Sequence, residues 1–267
     1  NCLRLYKGDV PMRIRSIVRR ITDNDYVFTI FTKIMAVLIG LILALILGYV
    51  YWIIYQFFLG TFLVWLLPEL GVDVYTVKGN SMLQLSYMVI NFVAVLLIFR
   101  RFLWKSLKDM KGKLRHVILS ALLGFAIYNI MAQQVAFVYF LFDLEPQNLN
   151  QETVDLLLEE TPWQMLLCTV FFAPIVEECL FRGLFFAPLY RKVPILAYIV
   201  SAVLFSAVHV VGGIGQLDVL TLILCFIQYL PAGIALGFVY QRTGNIIGPM
   251  LLHFFINFIA SAATLGM

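Results

Sequence analysis

Long apolar runs, separated by short charged segments, occupy the chain from residue 34 to its end. A membrane-spanning helix needs about 20 mostly apolar residues to cross a hydrocarbon core of about 30 Å. Seven runs reach that length. The pattern therefore predicts an all-α polytopic membrane helical bundle with about seven, and between six and eight, transmembrane helices. The predicted spans are residues 34–59, 82–104, 116–142, 162–190, 193–211, 217–240 and 246–267.

The region around the first span has two features of its own. The apolar run continues from residue 59 to residue 67, either as a tilted helix or as a short second piece, and stops at Pro68. Residues 10–25 mix four arginines with apolar residues at helical spacing. This mixture predicts an interfacial helix on an anionic cytoplasmic leaflet, and a plain basic tail that fixes topology is the alternative.

Charged residues are segregated along the chain, although they make up only 13% of it and apolar residues make up 62%. Residues 1–33 hold seven Lys or Arg and residues 100–115 hold seven more, whereas residues 143–160 hold six acids and no base. The positive-inside rule produces this alternation, which binding to nucleic acid would not explain. We therefore expect a multi-pass protein of a bacterial or archaeal cell membrane, with a cytoplasmic N-terminus and an acidic outer loop.

Three charged side chains interrupt the apolar run of residues 162–190. Once the charges of the loops and the span ends are removed, Glu177, Glu178 and Arg182 are the only charges left inside the predicted spans, and an ionisable group at that depth by default marks a functional site. Glu178 and Arg182 are four residues apart and can pair on one helix face, while Glu177 lies about 100° round the helix from Glu178. One carboxylate is predicted to be neutralised while the other faces a cavity. A buried ion-pair staple between helices is the alternative.

Two histidines and an asparagine lie in later spans. His209 follows Phe205 by one helical turn, and His253 and Asn257 share a helix face. An isolated histidine in a span more often makes a helix–helix hydrogen bond, but these groups together with the carboxylates can pool their polarity in one wet cavity. Counted from the basic loops, His209 lies about sixteen residues into its span and His253 about eight, an offset of roughly 12 Å unless a helix tilts.

The polar residues form three motifs in order: Glu-Glu-x-x-x-Arg at 177–182, Phe-x-x-x-His at 205–209 and His-x-x-x-Asn at 253–257. The set resembles the CPBP intramembrane protease family, which includes the CAAX prenyl endopeptidases and bacterial proteins linked to bacteriocin processing or self-immunity. The resemblance covers residues 174–257. We accordingly expect a basic cytoplasmic amphipathic segment at 1–33, N-terminal transmembrane helices and loops at 34–161, and a catalytic transmembrane core at 162–267.

The resemblance implies a catalytic role for four residues. Glu177 would act as a general base on a water molecule that His209 helps to hold and polarise. His253 and Asn257 would donate hydrogen bonds to the oxyanion that develops when water attacks a peptide carbonyl. Together they describe hydrolysis of a peptide bond within the membrane.

Three further residues would support this group. Glu178 and Arg182 would orient Glu177 and limit electrostatic strain. Phe205 would pack as a wall of the cavity, and ordinary lipid or core packing is the alternative reading of this aromatic residue.

A metal is the alternative to a metal-free mechanism, because glutamate and histidine are also zinc ligands. Catalytic zinc takes three protein ligands and a water, and Glu177, His209 and His253 could supply them. The chain has no His-Glu-x-x-His pair on one helix, and the resembled family is generally treated as glutamate-dependent. We therefore expect no cofactor, with zinc held by these three residues as the alternative.

The predicted function is an intramembrane endopeptidase. Its partners would be the lipid bilayer and a peptide or lipidated-protein substrate, of prenylated CAAX type or the precursor of a pheromone or bacteriocin; no nucleic-acid partner is expected. A non-catalytic regulatory or bacteriocin self-immunity protein is one alternative. A transporter is another, but transporters show inverted repeats in two matching halves, and the polar residues here are confined to one half.

Overall fold

The computed structural model describes the backbone of residues 24–267 and the side chains of residues 47–267, together with four earlier side chains. The predicted amphipathic helix at residues 10–25 lies almost entirely outside the described residues. In the described part the chain is helical apart from turns and an isolated bridge between Ile214 and Leu217. Its helices are α1 Asn24–Glu69, α2 Val77–Asp109, α3 Leu114–Leu141, α4 Leu149–Glu160, α5 Pro162–Tyr190, α6 Pro194–Val210, α7 Val219–Thr243 and α8 Ile247–Thr264.

Every one of these helices except α4 contains a segment long and apolar enough to cross a membrane, which gives seven candidate spans in the described part of the chain. The predicted all-α polytopic bundle is therefore confirmed. The described residues up to residue 58 belong to one compact unit, and residues 59–267 form another. The first unit contributes the N-terminal part of α1, whose apolar side chains such as Leu47 and Phe57 are two-thirds exposed. The second unit holds all the predicted site residues.

Two predicted boundaries differ from the structure. Helix α1 begins at Asn24 rather than at residue 34, runs on continuously and includes Pro68 in its last turn. An apolar run marks the part of a helix that suits lipid, and helical geometry extends beyond it through polar residues. The acidic segment, predicted as a loop, contains helix α4. Its first turn is capped by the side chain of Asn148, and its apolar residues Leu157 and Leu158 are buried.

Helix α5 is the most deeply packed of the candidate spans. Half of its most apolar window is buried, compared with 11% for the spans of α1 and α2. Its regular α-helical turns at Ala173–Glu178 lie between two π-helical segments, Leu167–Phe172 and Cys179–Phe186. Such π segments recur at functional sites, where they change the direction of side chains and free backbone carbonyl groups. Here they flank the two glutamates directly.

Helices α6 and α7 approach each other closely because α7 carries small residues after Pro231. A Cβ atom at Gly233 would lie 2.9 Å from the Cα atom of Ala202, so any side chain there would force the helices apart. This close contact brings the backbone of α7 within reach of α5.

The connection from α7 to α8 lies inside the protein. Asn245 is 6% exposed and donates from Nδ2 to the carbonyl oxygen of Ser106 in α2 at 2.8 Å, and Ile246 is fully buried. Helix α8 therefore starts within the protein interior. The unequal counts of His209 and His253 along their helices do not keep the two side chains apart, since both approach Glu177.

Candidate active site

Three of the predicted catalytic side chains converge at the middle of α5. The Oε2 atom of Glu177 lies 3.8 Å from Nε2 of His209 and 3.9 Å from Nε2 of His253. The glutamate and the two histidines come from α5, α6 and α8. Their side chains are 20%, 16% and 5% exposed respectively, and Oε2 of Glu177 is itself buried, so the group is well enclosed. Within the described residues, Glu177 Oε2 has no hydrogen-bond partner.

The neighbouring carboxylate, Glu178, is sealed inside the protein. Its Oε1 atom accepts a hydrogen bond from Nη1 of Arg182 at 2.9 Å, and both side chains are 0% exposed. The Nη2 atom of Arg182 donates to the carbonyl oxygen of Gly233 at 2.9 Å. The predicted pairing of Glu178 with Arg182 is thus present, and α7 supplies an additional acceptor for the buried cation.

His253 joins the sealed pair to Glu177. Its Nδ1 atom lies 2.9 Å from Oε1 of Glu178, and its Nε2 atom faces Glu177. A carboxylate only accepts hydrogen bonds, so Nδ1 carries the hydrogen that this contact requires. The imidazole is therefore fixed at one nitrogen by Glu178 and presents the other to the open side of the site.

His209 is held in a similar way by its own helix. Its Nδ1 atom donates to the carbonyl oxygen of Phe205 at 2.7 Å, since a carbonyl can only accept. In the neutral ring the lone pair of Nε2 then faces Glu177. The ring lies between two aromatic side chains, Phe205 at 4.6 Å and Tyr229 at 4.4 Å between ring centroids.

Phe205 lies at the centre of this cluster. It is 2% exposed, which removes lipid packing as its role. Its ring centroid lies 5.6 Å from that of His253, and the guanidinium carbon of Arg182 lies 5.0 Å from the ring. An aromatic face close to a buried guanidinium stabilises the cation. Phe205 therefore separates the sealed charges from His209 and forms a wall between them.

Asn257 is attached to the start of α5. Its Nδ2 atom donates to the carbonyl oxygen of Thr169 at 2.8 Å. In the π-helical segment the N–H of Ala173 bonds to the carbonyl of Cys168, so the next donor in that register would be residue 174. Residue 174 is proline and has no N–H. Asn257 thus satisfies a carbonyl group that Pro174 leaves without a backbone donor, and its second amide hydrogen remains for another acceptor.

The distances between Glu177 and the two histidines can be compared with the ligand spacing of a zinc site. Tetrahedral zinc with ligands at about 2.0–2.1 Å holds its ligand atoms about 3.4 Å apart. The two distances from Glu177 Oε2 to the histidine nitrogens are 3.8 and 3.9 Å. Over the described residues, no group of three His, Cys, Asp or Glu side chains is arranged to hold a metal ion. The atoms are thus about 0.4–0.5 Å further apart than tetrahedral zinc requires.

A small cleft reaches His209 from the side of α4. It lies between polar residues at the start of α4, Asn148 and Asn150, and the turn after α6 at Gly213, with Leu222 of α7 along one wall. In the part of α5 that follows the two glutamates, Phe181, Phe186 and Leu189 are at most 1% exposed. The cleft therefore gives His209 an approach from the side of α4.

Sequence reasoning missed three contacts in this site. Tyr229 stacks on His209, and the carbonyl groups of Gly233 and Thr169 accept hydrogen bonds from Arg182 and Asn257. Backbone acceptors carry no sequence signal, whereas the polar pair Gln228-Tyr229 inside an apolar run could have pointed to Tyr229. The third histidine, His116, lies apart from the site and contacts the carbonyl oxygen of Arg242 at 3.1 Å.

Comparison with known proteins gives two matches. Residues 159–259 match the family described as "Rce1-like: Type II CAAX prenyl endopeptidase Rce1-like", and this segment contains all three motifs. The chain is also similar to the protein named "Putative membrane peptidase YdiL" from Bacillus subtilis (strain 168). The two are 29% identical over 177 residues, which cover 63% of this chain and 67% of the relative. No solved structure gives a significant match.

Proposed function

We propose that the chain, whose residues 159–259 match the Rce1-like family and which is similar to a membrane peptidase named as putative, hydrolyses peptide bonds of a membrane-associated peptide or protein with a water activated by Glu177. The observation that carries this proposal is the meeting of Glu177 Oε2 with the Nε2 atoms of His209 and His253 at 3.8 and 3.9 Å. These separations are too long for direct hydrogen bonds. They suit a shared water, because a molecule about 2.8 Å from two atoms can bridge such a distance.

The water is held by two acceptors. Glu177 Oε2 and the lone pair of His209 Nε2 each accept one of its hydrogens, since Nδ1 of His209 already donates to Phe205. The oxygen lone pair of the water then faces the substrate carbonyl carbon. As the oxygen–carbon bond forms, Glu177 takes the water proton and passes it to the leaving amine when the carbon–nitrogen bond breaks.

The oxyanion is stabilised from α8. His253, protonated at both nitrogens, donates from Nε2, while its Nδ1 hydrogen stays with Glu178. In that state the formal charges of Glu177, Glu178, Arg182 and His253 sum to zero, which suits an apolar environment. The free amide hydrogen of Asn257 is the second donor. Donors fixed in advance by other contacts need little reorganisation during the reaction.

A purely structural role accounts poorly for Glu177, because Arg182 already pairs with Glu178. Glu178 Oε1 and Arg182 Nη1 already pair with each other, and His253 and the carbonyl of Gly233 add one hydrogen bond to each side chain, although Glu178 Oε2 and Arg182 Nε have no partner within the described residues. A scaffold or immunity protein would need only that pair. Glu177 adds a second carboxylate, whose Oε2 has no partner in the described part of the chain. Burying this oxygen costs stability, and a structural role gives no return for that cost, whereas a catalytic role does.

The experiment compares the wild type with Glu177→Gln in liposomes, using a pool of quenched fluorescent peptides, half of them bearing a C-terminal farnesyl group. We expect cleavage by the wild type and a loss of about 10²- to 10⁴-fold in kcat in the variant, as for removal of a general base. The amide keeps the shape of the carboxylate, so thermal unfolding in detergent should change little.

Arg191→Met is the matched control, because Arg191 is an exposed charge at the end of the same helix. Cleavage that Glu177→Gln leaves unchanged, or no cleavage of any peptide by the wild type, contradicts the proposal. Farnesyl-dependent cleavage supports a prenylated substrate, and equal cleavage of both halves supports an unmodified peptide.

The metal alternative is tested on the same preparation. After incubation with 1,10-phenanthroline we expect unchanged kcat, because the proposed steps need only Glu177, the histidines and Asn257. A loss of activity that added zinc restores would replace this mechanism with a metal-dependent one.

A further inference from the structure

Tyr229 of α7 lies outside the three motifs but contacts one of their residues directly. Its ring centroid is 4.4 Å from that of His209, and the two planes differ by 26°, which is a stacked arrangement. The ring of Phe205 lies 4.6 Å from the same imidazole at 41°. The imidazole of His209 therefore lies between two aromatic rings, one inside its own motif and one contributed by α7.

The hydroxyl group of Tyr229 is fixed by the segment at the start of α4. Asn150 donates from Nδ2 to this hydroxyl at 3.0 Å, and the hydroxyl donates to Oδ1 of Asn148 at 3.1 Å. Asn148 also donates from Nδ2 to Oε1 of Gln228 at 2.8 Å and caps α4 by accepting from the N–H of Gln151 at 3.2 Å. We call Asn148 and Asn150 the α4 clamp.

The clamp matters because the hydrogen bond from Nδ1 leaves His209 free to tilt. A single bond to the carbonyl of Phe205 fixes the position of one ring nitrogen, and the ring can still swing about it. Stacked aromatic neighbours restrict that swing, since aromatic pairs prefer defined separations and angles. The direction of Nε2 towards Glu177, 3.8 Å away, thus depends on both flanking rings.

We propose that Tyr229 is a positioning residue for His209, and that the α4 clamp holds it in place. This inference rests on the proposed function, because it concerns how His209 holds the water. The ring of Tyr229 keeps Nε2 aimed at the water site, and the clamp keeps the ring over the imidazole. The polar start of α4 thereby sets the geometry of an imidazole in α6.

The test measures kcat and KM for the best-cleaved peptide of the fluorescent pool. Misplacing a catalytic group by about 1 Å costs on the order of 10²-fold, so we expect Tyr229→Leu to lower kcat about 10- to 100-fold with KM nearly unchanged. Tyr229→Phe keeps the ring and loses the clamp, and should lose only about 3- to 10-fold in kcat.

Tyr240→Leu is the matched control. Tyr240 lies eleven residues further along α7, is half-buried and packs on Phe186 with ring centroids 5.6 Å apart. Removing its ring costs similar packing without touching the site, so kcat should stay within about 2-fold of the wild type while thermal unfolding shifts as in Tyr229→Leu.

Double variants separate the effect of the α4 clamp on kcat from the effect of the Tyr229 ring. Asn148→Ala and Asn150→Ala should each lower kcat in the wild type, and should have little further effect in Tyr229→Phe, because the hydroxyl they hold is already gone. Equal effects in both backgrounds overturn the role of the clamp. A kcat in Tyr229→Leu equal to that of Tyr240→Leu overturns the positioning role.

Failure of this inference is distinguishable from failure of the proposed function. If Glu177→Gln is inactive and Tyr229→Leu behaves like Tyr240→Leu, only the positioning role is wrong. If Glu177→Gln keeps wild-type activity, the proposed water site itself is wrong.

Discussion

The adjacent carboxylates of α5, Glu177 and Glu178, have opposite surroundings. On the sealed side, Glu178 and Arg182 are 0% exposed and bond to each other, to His253 and to the backbone of α7. On the open side, the side chain of Glu177 is 20% exposed, and its Oε2, which has no hydrogen-bond partner within the described residues, lies 3.8 Å from His209, a residue that lines the cleft at the start of α4.

The difference teaches that position around the helix, and not residue type, decides which carboxylate pairs with Arg182 and which faces the two histidines. About 100° of rotation separates Glu177 from Glu178. That rotation turns Glu178 towards Arg182 and one nitrogen of His253, whereas Glu177 lies at a distance from two histidine nitrogens that suits a shared water. The three predictions below test this contrast, from the largest expected effect to the smallest.

The sealed side should be the more sensitive to loss of charge. We expect Arg182→Met to lower the free energy of unfolding by about 3–5 kcal/mol, because it leaves Glu178 buried without its cation. Arg191→Met, at an exposed position, should change stability by less than about 0.5 kcal/mol. Denaturant unfolding in detergent measures both. A cost for Arg182→Met no larger than for Arg191→Met would show that Glu178 does not need this partner.

Close packing on the sealed side should be intolerant of one added methyl group. We expect Gly233→Ala to destabilise the protein by about 1–2 kcal/mol, because the new Cβ would lie 2.9 Å from the backbone of Ala202. The shift should also displace the carbonyl group that Arg182 binds.

Gly212→Ala supplies the comparison on the open side, since a Cβ there meets nothing within 4 Å. Its stability should stay within about 0.5 kcal/mol of the wild type. Thermal unfolding midpoints of the two variants give the answer, and equal midpoints would mean that α6 and α7 can move apart at little cost.

The link between α8 and α5 should depend on Pro174. We expect Asn257→Ala to cost about 1–2 kcal/mol of stability, because the carbonyl of Thr169 loses its donor. In a Pro174→Ala background the residue at 174 has an N–H that can serve the same carbonyl, so Asn257→Ala should cost less there, by about 1 kcal/mol.

Cleavage activity is a second measurement on the single and double variants of Asn257 and Pro174. If Asn257 also donates to the oxyanion, activity stays low in the double variant even where stability recovers. The same stability cost in both backgrounds would contradict the pairing of Asn257 with the carbonyl that Pro174 leaves free.

Several features could be predicted because they depend on residue type and spacing. Apolar runs of membrane-crossing length gave the seven spans, and the i,i+4 spacing gave the pairing of Glu178 with Arg182. The helix ends were less predictable, since α1 continues through polar residues to Asn24 and α4 forms within an apparent loop. The π-helical segments that flank the two glutamates left no signal in the sequence either.

The sequence by itself determined which helices carry polar groups, which family the motifs resemble, and that Glu177 and Glu178 must face different surroundings. Those conclusions follow from local periodicity and from motifs in order along the chain. Only the tertiary structure decided that His209 and His253 reach the same carboxylate, that Tyr229 stacks on His209, and that backbone carbonyls of Gly233 and Thr169 complete the site. The physical reason is that such contacts join residues far apart in the chain. They depend on helix depth, tilt and backbone geometry, which residue identity does not encode locally.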